Sequence, residues 1–321
     1  MKVIDFNQIN SLHIEPSQCY EWAEEMIKHK ADTLLPPKTH LNMPDGVFCN
    51  VMPSLLYLPN GNWGGVKMVT RYPKREPALD SKIVLFNSDT GDFLAILDGN
   101  RITAMRTGAV AAHSIITLAK KNYSTMGMLG LGNTARATLL VLASRIGNKE
   151  LNIKLLRYKN QAELFQERFA DYKNLHFTIV DSVKELITGS DVVVSCATYF
   201  DRDIAKDSYF DKGVLVVPVH TRGFTNCDLF FDKIFADDTG HVQDFKNFNK
   251  FKSFAEMTEV VNGRNPGRES DNERILAYNI GVSMHDINFA AHVYEQFEQQ
   301  PSKFNKLQDI DMHEPTEKFW I

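Results

Sequence analysis

The chain has 321 residues, and its 36 basic and 40 acidic side chains give a formal charge of −4 with histidine neutral. At roughly 150 residues per domain this length predicts about two domains, and a composition of 43% hydrophobic and 24% charged residues excludes an intrinsically disordered chain. The acidic balance argues against a nucleic-acid binder, and no uncharged apolar run approaches the roughly 18 residues that predict a membrane span.

Cysteine and histidine are scattered along the chain. The four cysteines (Cys19, Cys49, Cys196 and Cys227) share no CxxC spacing, and the ten histidines form no HxH or HExxH motif. We therefore expect no bound metal and no thiol redox pair. The first ten residues include Asp5 and no long apolar run, so no secretory signal is predicted. Unpaired cysteines without such a signal are typical of the reducing cytoplasm, which is the predicted location.

The first hundred residues are rich in prolines and turns. Spaced apolar side chains over 16–33 predict an early helix. Two strand-like runs, 82–87 and 92–97, are joined by a Ser-Asp-Thr-Gly turn and predict a hairpin. The apolar stretches before this hairpin are short, as at 46–52 and 65–70. This part of the chain is therefore expected to be irregular, with an antiparallel or mixed sheet.

Beyond about residue 105, strand and helix patterns alternate. Two valine-rich runs, 191–197 and 213–219, are typical of strands that are covered on both faces of a parallel sheet. The alternation predicts a doubly wound α/β domain. A last helix over 282–299 is expected to pack back onto the first part of the chain. The remaining patterns predict a helix at 107–121, a strand at 125–131, a helix at 134–146 with Gly147 as C-cap, a strand at 152–158, a helix at 161–172, a strand at 177–180 and a helix at 182–188.

A GxGxxA motif joins the predicted strand at 125–131 to the helix that follows it. This context is the one that a dinucleotide-binding fingerprint requires. The first glycine allows a tight turn, the second lets the backbone approach a pyrophosphate, and the small alanine keeps helix and strand close. The amides at the helix N-terminus then face the phosphate charge. The predicted cofactor-binding residues of the motif are Gly130, Leu131, Gly132, Asn133, Thr134 and Ala135.

The end of the next predicted strand indicates which dinucleotide is bound. An acidic residue there binds the ribose of NAD, whereas a basic residue accommodates the 2′-phosphate of NADP. The chain has no acid at this point and carries Arg157, Tyr158 and Lys159. The two cations would neutralise a phosphate, and the tyrosine ring would lie against the adenine. NADP(H) is therefore the favoured cofactor, and NAD(H) remains the alternative.

The segment 98–109 has the sequence DGNRITAMRTGA. It resembles the DGxxITAxRTAA-like segment of the ornithine cyclodeaminase/mu-crystallin family. Further similarity at 52–53, 65–67, 130–135 and 279–281 extends the resemblance over nearly the whole chain. These motifs are specific for the family and not for one activity within it.

The resemblance implies an α/β fold with two domains. A Rossmann domain with a doubly wound parallel sheet is expected at 113–300. A second α+β domain, for substrate binding and dimerisation, is expected from 1–112 plus 301–321, the N-terminal segment and the C-terminal helix. The family arrangement implies a homodimer with the active site in the cleft between the domains.

The resemblance also assigns roles to individual residues. It implies that Lys67 contacts the substrate and polarises or protonates it. Arg106 is expected at a helix start, facing both the substrate carboxylate and the cofactor phosphates. Lys38 stands where the family usually has a second carboxylate-binding arginine, and it lacks the bidentate fork of that side chain. Met52 and Gly281 complete the expected substrate contacts. The further expected cofactor contacts are Thr107, Ala197, Thr198, Val219, His220 and Ile280.

One departure from the family separates the candidate activities. Cyclodeaminases and related amino-acid dehydrogenases carry a proton-transferring aspartate in the turn after the strand at 213–219, and this chain has Arg222 there. An arginine cannot act as a general base at neutral pH. His220 is a candidate proton donor in its place, because histidine titrates near neutrality. Together with Lys38, Lys67 and Arg106, Arg222 also predicts a cationic pocket that would suit a substrate with an additional anionic group.

The sequence therefore predicts an NAD(P)H-dependent oxidoreductase. It would act on the C–N bond of a small amino or imino acid, as an imine or ketimine reductase or an amino-acid dehydrogenase. Two alternatives stay open. One is a cyclodeaminase-type lyase that uses bound NAD, and the other is a non-catalytic protein that binds a nucleotide or another small molecule.

Overall fold

The computed structural model describes residues 1–198, 200, 202–219, 227–312 and 316–320. Across these residues the strands form two eight-stranded sheets. In chain order the strands are β1 (Lys2–Ile4), β2 (Thr33–Leu34), β3 (Thr39–Asn42), β4 (Phe48–Leu58), β5 (Gly61–Arg71), β6 (Leu79–Asn87), β7 (Phe93–Asp98), β8 (Thr125–Leu129), β9 (Leu151–Leu156), β10 (Leu175–Val180), β11 (Val192–Ser195), β12 (Leu215–Pro218), β13 (Lys233–Ala236), β14 (Phe254–Glu256), β15 (Ile275–Tyr278) and β16 (Gln308–Asp309).

The α-helices lie before, between and after these sheets. None in the described ranges is both long enough and apolar enough to cross a bilayer. They are α1 (Phe6–Asn10), α2 (Pro16–Lys28), α3 (Gly99–Leu118), α4 (Asn133–Ile146), α5 (Gln161–Arg168), α6 (Val183–Ile187), α7 (Met257–Val261), α8 (Ser283–Glu298) and α9 (Pro301–Phe304).

The first sheet has the order β16-β1-β7-β6-β5-β4-β2, with β3 also paired to β4. The hairpin of β6 and β7 confirms the predicted one. The expectation of short, irregular segments before it is wrong, because β4 and β5 are regular strands of 11 residues each. The proline that suggested a break, Pro53, lies between the part of β4 paired with β3 and the part paired with β2. Because Pro53 is paired with neither β3 nor β2, its missing N–H removes few backbone hydrogen bonds to these two strands.

The second sheet has the order β10-β9-β8-β11-β12-β15-β13-β14, and all its pairs are parallel. Its central strands are buried on both faces. Val192 and Val194 belong to the apolar cluster shared with the first sheet, and Val193 belongs to a cluster on the opposite face. The predicted fold class is confirmed: a doubly wound Rossmann sheet with a second α+β unit.

Helix α3 begins eight residues before the predicted start at 107. The carboxylate of Asp98 accepts a hydrogen bond from the backbone N–H of Asn100 at 2.9 Å and caps the helix there. Arg106 therefore lies in the third turn of α3, and the expectation that it opens a helix is wrong.

Helix α8 is last among the long helices in sequence, yet it packs on the first sheet, against β4, β5 and β6, and on α2 and α3. This confirms the predicted return of the last helix to the first part of the chain. Trp22 of α2 lies between Phe289 and His292 of α8, with ring centroids 5.1 and 4.6 Å apart. The domain limits at 112/113 and 300/301 stay predictions. A division that follows this packing would place α8 with the first sheet.

Candidate active site

Lys67 is a buried lysine in the middle of the first sheet. It lies on β5, beside Met52 of β4 and Ile83 of β6, and its side chain faces the helices. Only 1% of its side-chain surface is exposed. Its Nζ lies 2.8 Å from Oδ2 of Asp286, which is fully buried in the first turn of α8. A buried ammonium group needs such a partner, because burial without one carries a large desolvation cost.

Arg106 reaches the same carboxylate from α3. Its Nε donates to Oδ1 of Asp286 at 2.8 Å, so one carboxylate holds two cations from two different elements. Its guanidinium lies against Gly281, which has a φ of +81°. A Cβ at Gly281 would lie 2.7 Å from Nη1 of Arg106. The position therefore requires glycine both for its backbone conformation and for the close approach of the arginine.

The ionisation of this cluster follows from burial and charge. Burial lowers the pKa of Lys67 to about 7, Arg106 acts in the same direction, and Asp286 opposes both. Burial disfavours the charged form of Asp286, yet Arg106 and Lys67 hold the pKa of this carboxyl below its usual value. Lys67 is therefore placed to give up its proton more readily than a free lysine, while Arg106 and Lys67 favour the charged form of Asp286 against the opposing effect of burial, an arrangement that suits a proton-transferring lysine.

Lys38 approaches the cluster from the segment before β3. Its Nζ donates to the carbonyl oxygen of Ile280 at 3.1 Å, and its backbone N–H donates to Nε2 of His241 at 3.3 Å. The other ring nitrogen of His241 lies 2.6 Å from Oδ2 of Asp238. Burial lowers the pKa of Lys38 to about 8. The segment that carries Ile280 and Gly281 thus contacts both Lys38 and Arg106.

Asp237 anchors that segment from the second sheet. It follows β13 directly, is 4% exposed, and accepts a hydrogen bond from the backbone N–H of Gly281 at 2.8 Å. Its Oδ1 has no hydrogen-bond partner within the described ranges. Burial raises the pKa of this carboxyl. The contact joins the carboxyl edge of the second sheet to the cation cluster on the first.

The structure brings together five of the predicted substrate residues: Lys38, Met52, Lys67, Arg106 and Gly281. The sixth, Arg222, and the predicted proton donor His220 lie outside the described residues, and the roles of both stay predictions. Sequence reasoning missed the acids Asp286 and Asp237 and the histidine His241. For Asp286 a signal was present, since it is an isolated acid in an otherwise largely apolar helix pattern.

The GxGxxA motif lies at the carboxyl end of β8, in the centre of the second sheet. Gly130 has a φ of +74°, and a Cβ there would lie 2.3 Å from the backbone nitrogen of Ala197, after β11. The absence of a side chain at Gly130 therefore allows the turn after β8 to pack directly against the backbone that follows β11. Successive strands are added in one direction from β8 to β10 and in the opposite direction from β11 onward. Ligands bind at such a switch point in the strand order, here between β8 and β11.

The start of α4 fits a pyrophosphate. Gly132 is its N-cap, and no side chain caps the helix. A Cβ at Gly132 would meet nothing within 4 Å, so packing inside the protein does not explain this glycine, whereas close approach of a ligand does. Leu131 and Ala135 are buried, while Asn133 and Thr134 are accessible on the first turn of α4. When bound, a nicotinamide dinucleotide would lie here and would supply hydride chemistry.

Four further predicted cofactor residues lie along the same edge of the sheet: Ala197, Thr198, Val219 and Ile280. Thr198 follows β11 with Ala197, Val219 follows β12, and Ile280 follows β15, all at carboxyl ends of parallel strands. Thr107 lies one residue after Arg106 and donates its hydroxyl to the carbonyl of Thr103 at 2.6 Å. The contacts of these residues with a cofactor stay predictions.

Arg157 is engaged by two carboxylates. Its Nε donates to Oδ1 of Asp181 at 2.7 Å, and its Nη1 donates to Oε1 of Glu163 at 2.5 Å. All three side chains are exposed. Tyr158 is 60% exposed, and Lys159 places its Nζ 5.5 Å from the centre of that ring. The end of β9 therefore presents cations together with the acids that partly neutralise them.

A profile of the ornithine cyclodeaminase/mu-crystallin family matches residues 7–301 of this sequence. The chain belongs to this family. The match confirms the resemblance given by the motifs at 98–109 and 130–135.

Curated family members show moderate sequence similarity to this chain. The N-((2S)-2-amino-2-carboxyethyl)-L-glutamate dehydrogenase of Staphylococcus aureus is 24% identical over 253 residues, which covers 74% of each chain. The Delta(1)-pyrroline-2-carboxylate reductase of Bacillus cereus is 24% identical over 271 residues, or 78% of this chain and 83% of the reductase.

Two solved family structures share the fold. The Delta(1)-pyrroline-2-carboxylate reductase of Thermococcus litoralis, in complex with NADH and L-proline, has a TM-score of 0.84 at 21% identity, covering 97% of this chain and 100% of the other. An archaeal alanine dehydrogenase dimer with bound NAD has a TM-score of 0.83 at 22% identity, covering 98% and 99%.

Proposed function

We propose that this family member is an NAD(P)H-dependent oxidoreductase that acts on the C–N bond of a small amino or imino acid. The observation that carries the proposal is the buried cluster of Lys67, Arg106 and Asp286. It is joined through Gly281 to the carboxyl edge of a dinucleotide-binding sheet. The names of the curated relatives, a dehydrogenase and a reductase, support it.

The proposed chemistry assigns substrate binding to two of the three cations and proton transfer to the third. Arg106 and Lys38 bind the α-carboxylate and orient the substrate. A nicotinamide dinucleotide held at the GxGxxA turn would supply the hydride chemistry at the substrate carbon. In the reductive direction, Lys67 donates a proton to the nitrogen; in the oxidative direction, it takes that proton back. His220 remains the second candidate proton donor.

For the cofactor we propose NADP(H), with NAD(H) as the alternative. Arg157 and Lys159 support a 2′-phosphate, since they are the cations at the end of β9. The carboxylates of Asp181 and Glu163 reduce the positive charge available to it. The two solved relatives contain NADH and NAD, respectively, which supports NAD(H) as the alternative cofactor.

For the substrate we propose a small amino or imino acid, including those with an additional anionic group. Arg106 and Lys67 stabilise the charged form of the buried Asp286 carboxylate, and Lys38 lies nearby with its Nζ on the carbonyl oxygen of Ile280. Burial raises the pKa of the neighbouring Asp237 and so favours its neutral form, which means that one α-carboxylate would leave this cluster with excess positive charge that a second anionic group would compensate.

We further propose a homodimer formed through the outer face of the first sheet. Val66, Val84 and Ile96 lie side by side in register on that face and are only half-buried. Met68, 49% exposed, extends the apolar patch. The solved alanine dehydrogenase is named as a dimer. Light scattering coupled to gel filtration tests this proposal, because a stable monomer at micromolar concentration contradicts it.

We propose the cytoplasm as the location. The four cysteines are all free thiols, of which three are buried, and this suits a reducing compartment. Cell fractionation with compartment markers tests the proposal.

The deciding experiment measures dinucleotide binding and turnover in the same preparation. NADPH and NADH are titrated first, and the near-ultraviolet absorbance of the reduced nicotinamide is then followed with cyclic imino acids, with 2-oxo acids plus amines, and with ornithine. Stoichiometric oxidation of the cofactor with an imino acid supports the proposal. Release of ammonia from ornithine without net cofactor change supports the lyase instead. Binding without turnover on a panel that includes dicarboxylic substrates supports a binding protein.

A further inference from the structure

Asp286 is the common partner of the two cations to which the proposed function assigns separate tasks. Its Oδ2 lies 2.8 Å from Nζ of Lys67, and its Oδ1 lies 2.8 Å from Nε of Arg106. The lysine comes from a strand, the arginine from α3 and the carboxylate from α8. The distance between the proton-transferring and carboxylate-binding groups is therefore set by a single side chain.

The backbone around Asp286 is itself fixed. The hydroxyl of Ser283, at the start of α8, donates to the carbonyl of Pro53 at 2.7 Å and ties the helix to β4. Asp286 lies in the first turn of the 16-residue helix, where the helix dipole stabilises negative charge. The side chain is fully buried, so solvent does not screen its interactions with the two cations.

We infer that Asp286 is a positioning residue that acts through Lys67 and Arg106, holding the two at one fixed separation and keeping Lys67 protonated until the substrate nitrogen takes the proton. This inference rests on the proposed function. In the reductive step the hydride of the dinucleotide forms the new C–H bond, and the electron pair of the C=N π bond moves to nitrogen. The ammonium of Lys67 supplies the N–H proton and becomes a neutral amine, which regains a proton from water.

Other charged groups near the cluster do not replace Asp286. Lys38 and Arg106 both disfavour the charged form of Lys67. His285, next to Asp286 on α8, is uncharged at neutrality because burial lowers its pKa to about 3. Asp237 interacts chiefly with Gly281, His241 and Lys38. Within the described ranges, Asp286 is thus the acid that stabilises the protonated lysine.

The kinetic test uses Asp286→Asn and Asp286→Glu. In Asp286→Asn we expect kcat to fall about a hundredfold, KM to rise, and the alkaline limb of the reductive pH profile to move down by about one to three pH units. In Asp286→Glu the charge is kept while its oxygens are displaced. We therefore expect kcat/KM to fall at least about tenfold with the limb within half a unit of wild type. Wild-type kcat/KM in Asp286→Glu overturns the inference, even if Asp286→Asn does not fold.

A matched control separates this role from a structural one. Glu25 of α2 pairs with His292 of α8 at 2.9 Å, so Glu25→Gln disturbs the packing of the same helix without touching the cluster. We expect wild-type KM and an unchanged pH limb for Glu25→Gln. The same proportional loss of kcat in both variants, with no change in KM or pH profile, would show that Asp286 only stabilises the fold.

A readout without turnover distinguishes failure of this inference from failure of the proposed function. The Lys67 side chain is titrated by NMR after 13Cε labelling of lysine, with Lys67→Met to assign its signal. We expect a midpoint near pH 7 in the wild type, a lower one in Asp286→Asn and a similar one in Asp286→Glu. If no imino acid turns over but these midpoints are observed, the proposed function fails and the electrostatic role stands. An unchanged midpoint in Asp286→Asn refutes that role.

Discussion

The two halves of the candidate site are built in opposite ways. Of the cations proposed to act on the substrate, Lys67 and Arg106 are buried and Lys38 is half-buried; they come from different parts of the chain, and each is fixed by contacts that folding itself creates. The cofactor edge combines a tightly packed glycine turn with exposed side chains at the end of β9. Under the proposed function, the chemistry would be set by the core of the protein, whereas the choice of dinucleotide would rest on surface residues that mutation changes at little cost to stability.

Replacing Lys67 should have the largest effect. Lys67→Met keeps most of the buried volume but removes the proton donor, so we expect kcat/KM to fall about 10²- to 10⁴-fold with dinucleotide affinity unchanged. Steady-state kinetics and cofactor titration measure both quantities. Lys82→Met is the control, since Lys82 lies on the adjacent strand β6 with 52% of its side chain exposed. Full activity in Lys67→Met would contradict the assignment.

The pH dependence should be the next largest effect. Burial lowers the pKa of Lys67 to about 7, and the reductive reaction needs its protonated form. The reductive kcat should therefore fall about tenfold for each pH unit above 7, whereas the oxidative kcat, which needs the neutral amine, should rise with pH about tenfold for each unit below pH 7 and level off above it. Initial rates in both directions from pH 5.5 to 9.5 test this expectation. A flat reductive profile up to pH 9 would exclude Lys67 as the donor.

Gly130→Ala should weaken dinucleotide binding by more than tenfold. The new Cβ would lie 2.3 Å from the nitrogen of Ala197 at a φ of +74°, so the turn must move and the strain lowers stability as well. Gly147→Ala is the matched control, because Gly147 also has a positive φ, +57°, but open space around it. Dinucleotide dissociation constants and melting temperatures distinguish the two. Equal losses of affinity would mean that backbone conformation alone, and not the contact with β11, matters at Gly130.

Arg157→Gln should have the smallest effect. An exposed charge pair contributes roughly 1 kcal/mol or less, so NADPH should bind about fivefold more weakly while NADH is unaffected. Glu163→Gln should act in the opposite direction by freeing the guanidinium. Arg168→Gln, at the far end of α5, is the control. Equal weakening of NADPH and NADH in Arg157→Gln would remove the argument for a phosphate-binding role.

The sequence predicted the second sheet better than the first, for physical reasons. Strands β8 to β12 were predicted from short apolar runs, and the valine-rich runs of β11 and β12 are buried on both faces, whereas β13, β14 and β15 were not predicted. Strands β4 and β5 alternate between a buried and a half-exposed face, and Pro53 obscured the first of them. The start of α3 was missed although Asp98 is a good N-cap, because the glycine and threonine residues that follow have weak helix propensity.

The candidate site, like the fold, was predicted only in part from the sequence. Lys67 and Arg106 were found from motifs, yet nothing in the sequence shows that a residue 180 positions after Arg106 is its partner. An isolated acid in a helix is usually solvent-exposed, and only the packing of α8 on the first sheet makes Asp286 internal. Asp237 was missed for a similar reason, since its role depends on the return of the chain to Gly281.

The position of α8 has a consequence for synthesis of the protein. Strands β1 to β7 of the first sheet leave the ribosome early, but helix α8, which packs on β4, β5 and β6, follows only after the whole second sheet has been translated. The growing chain therefore exposes an apolar surface and an unpaired lysine for most of elongation, when aggregation is most dangerous. A chain released before residue 283 would retain the dinucleotide-binding turn and lack the carboxylate on which both buried cations depend.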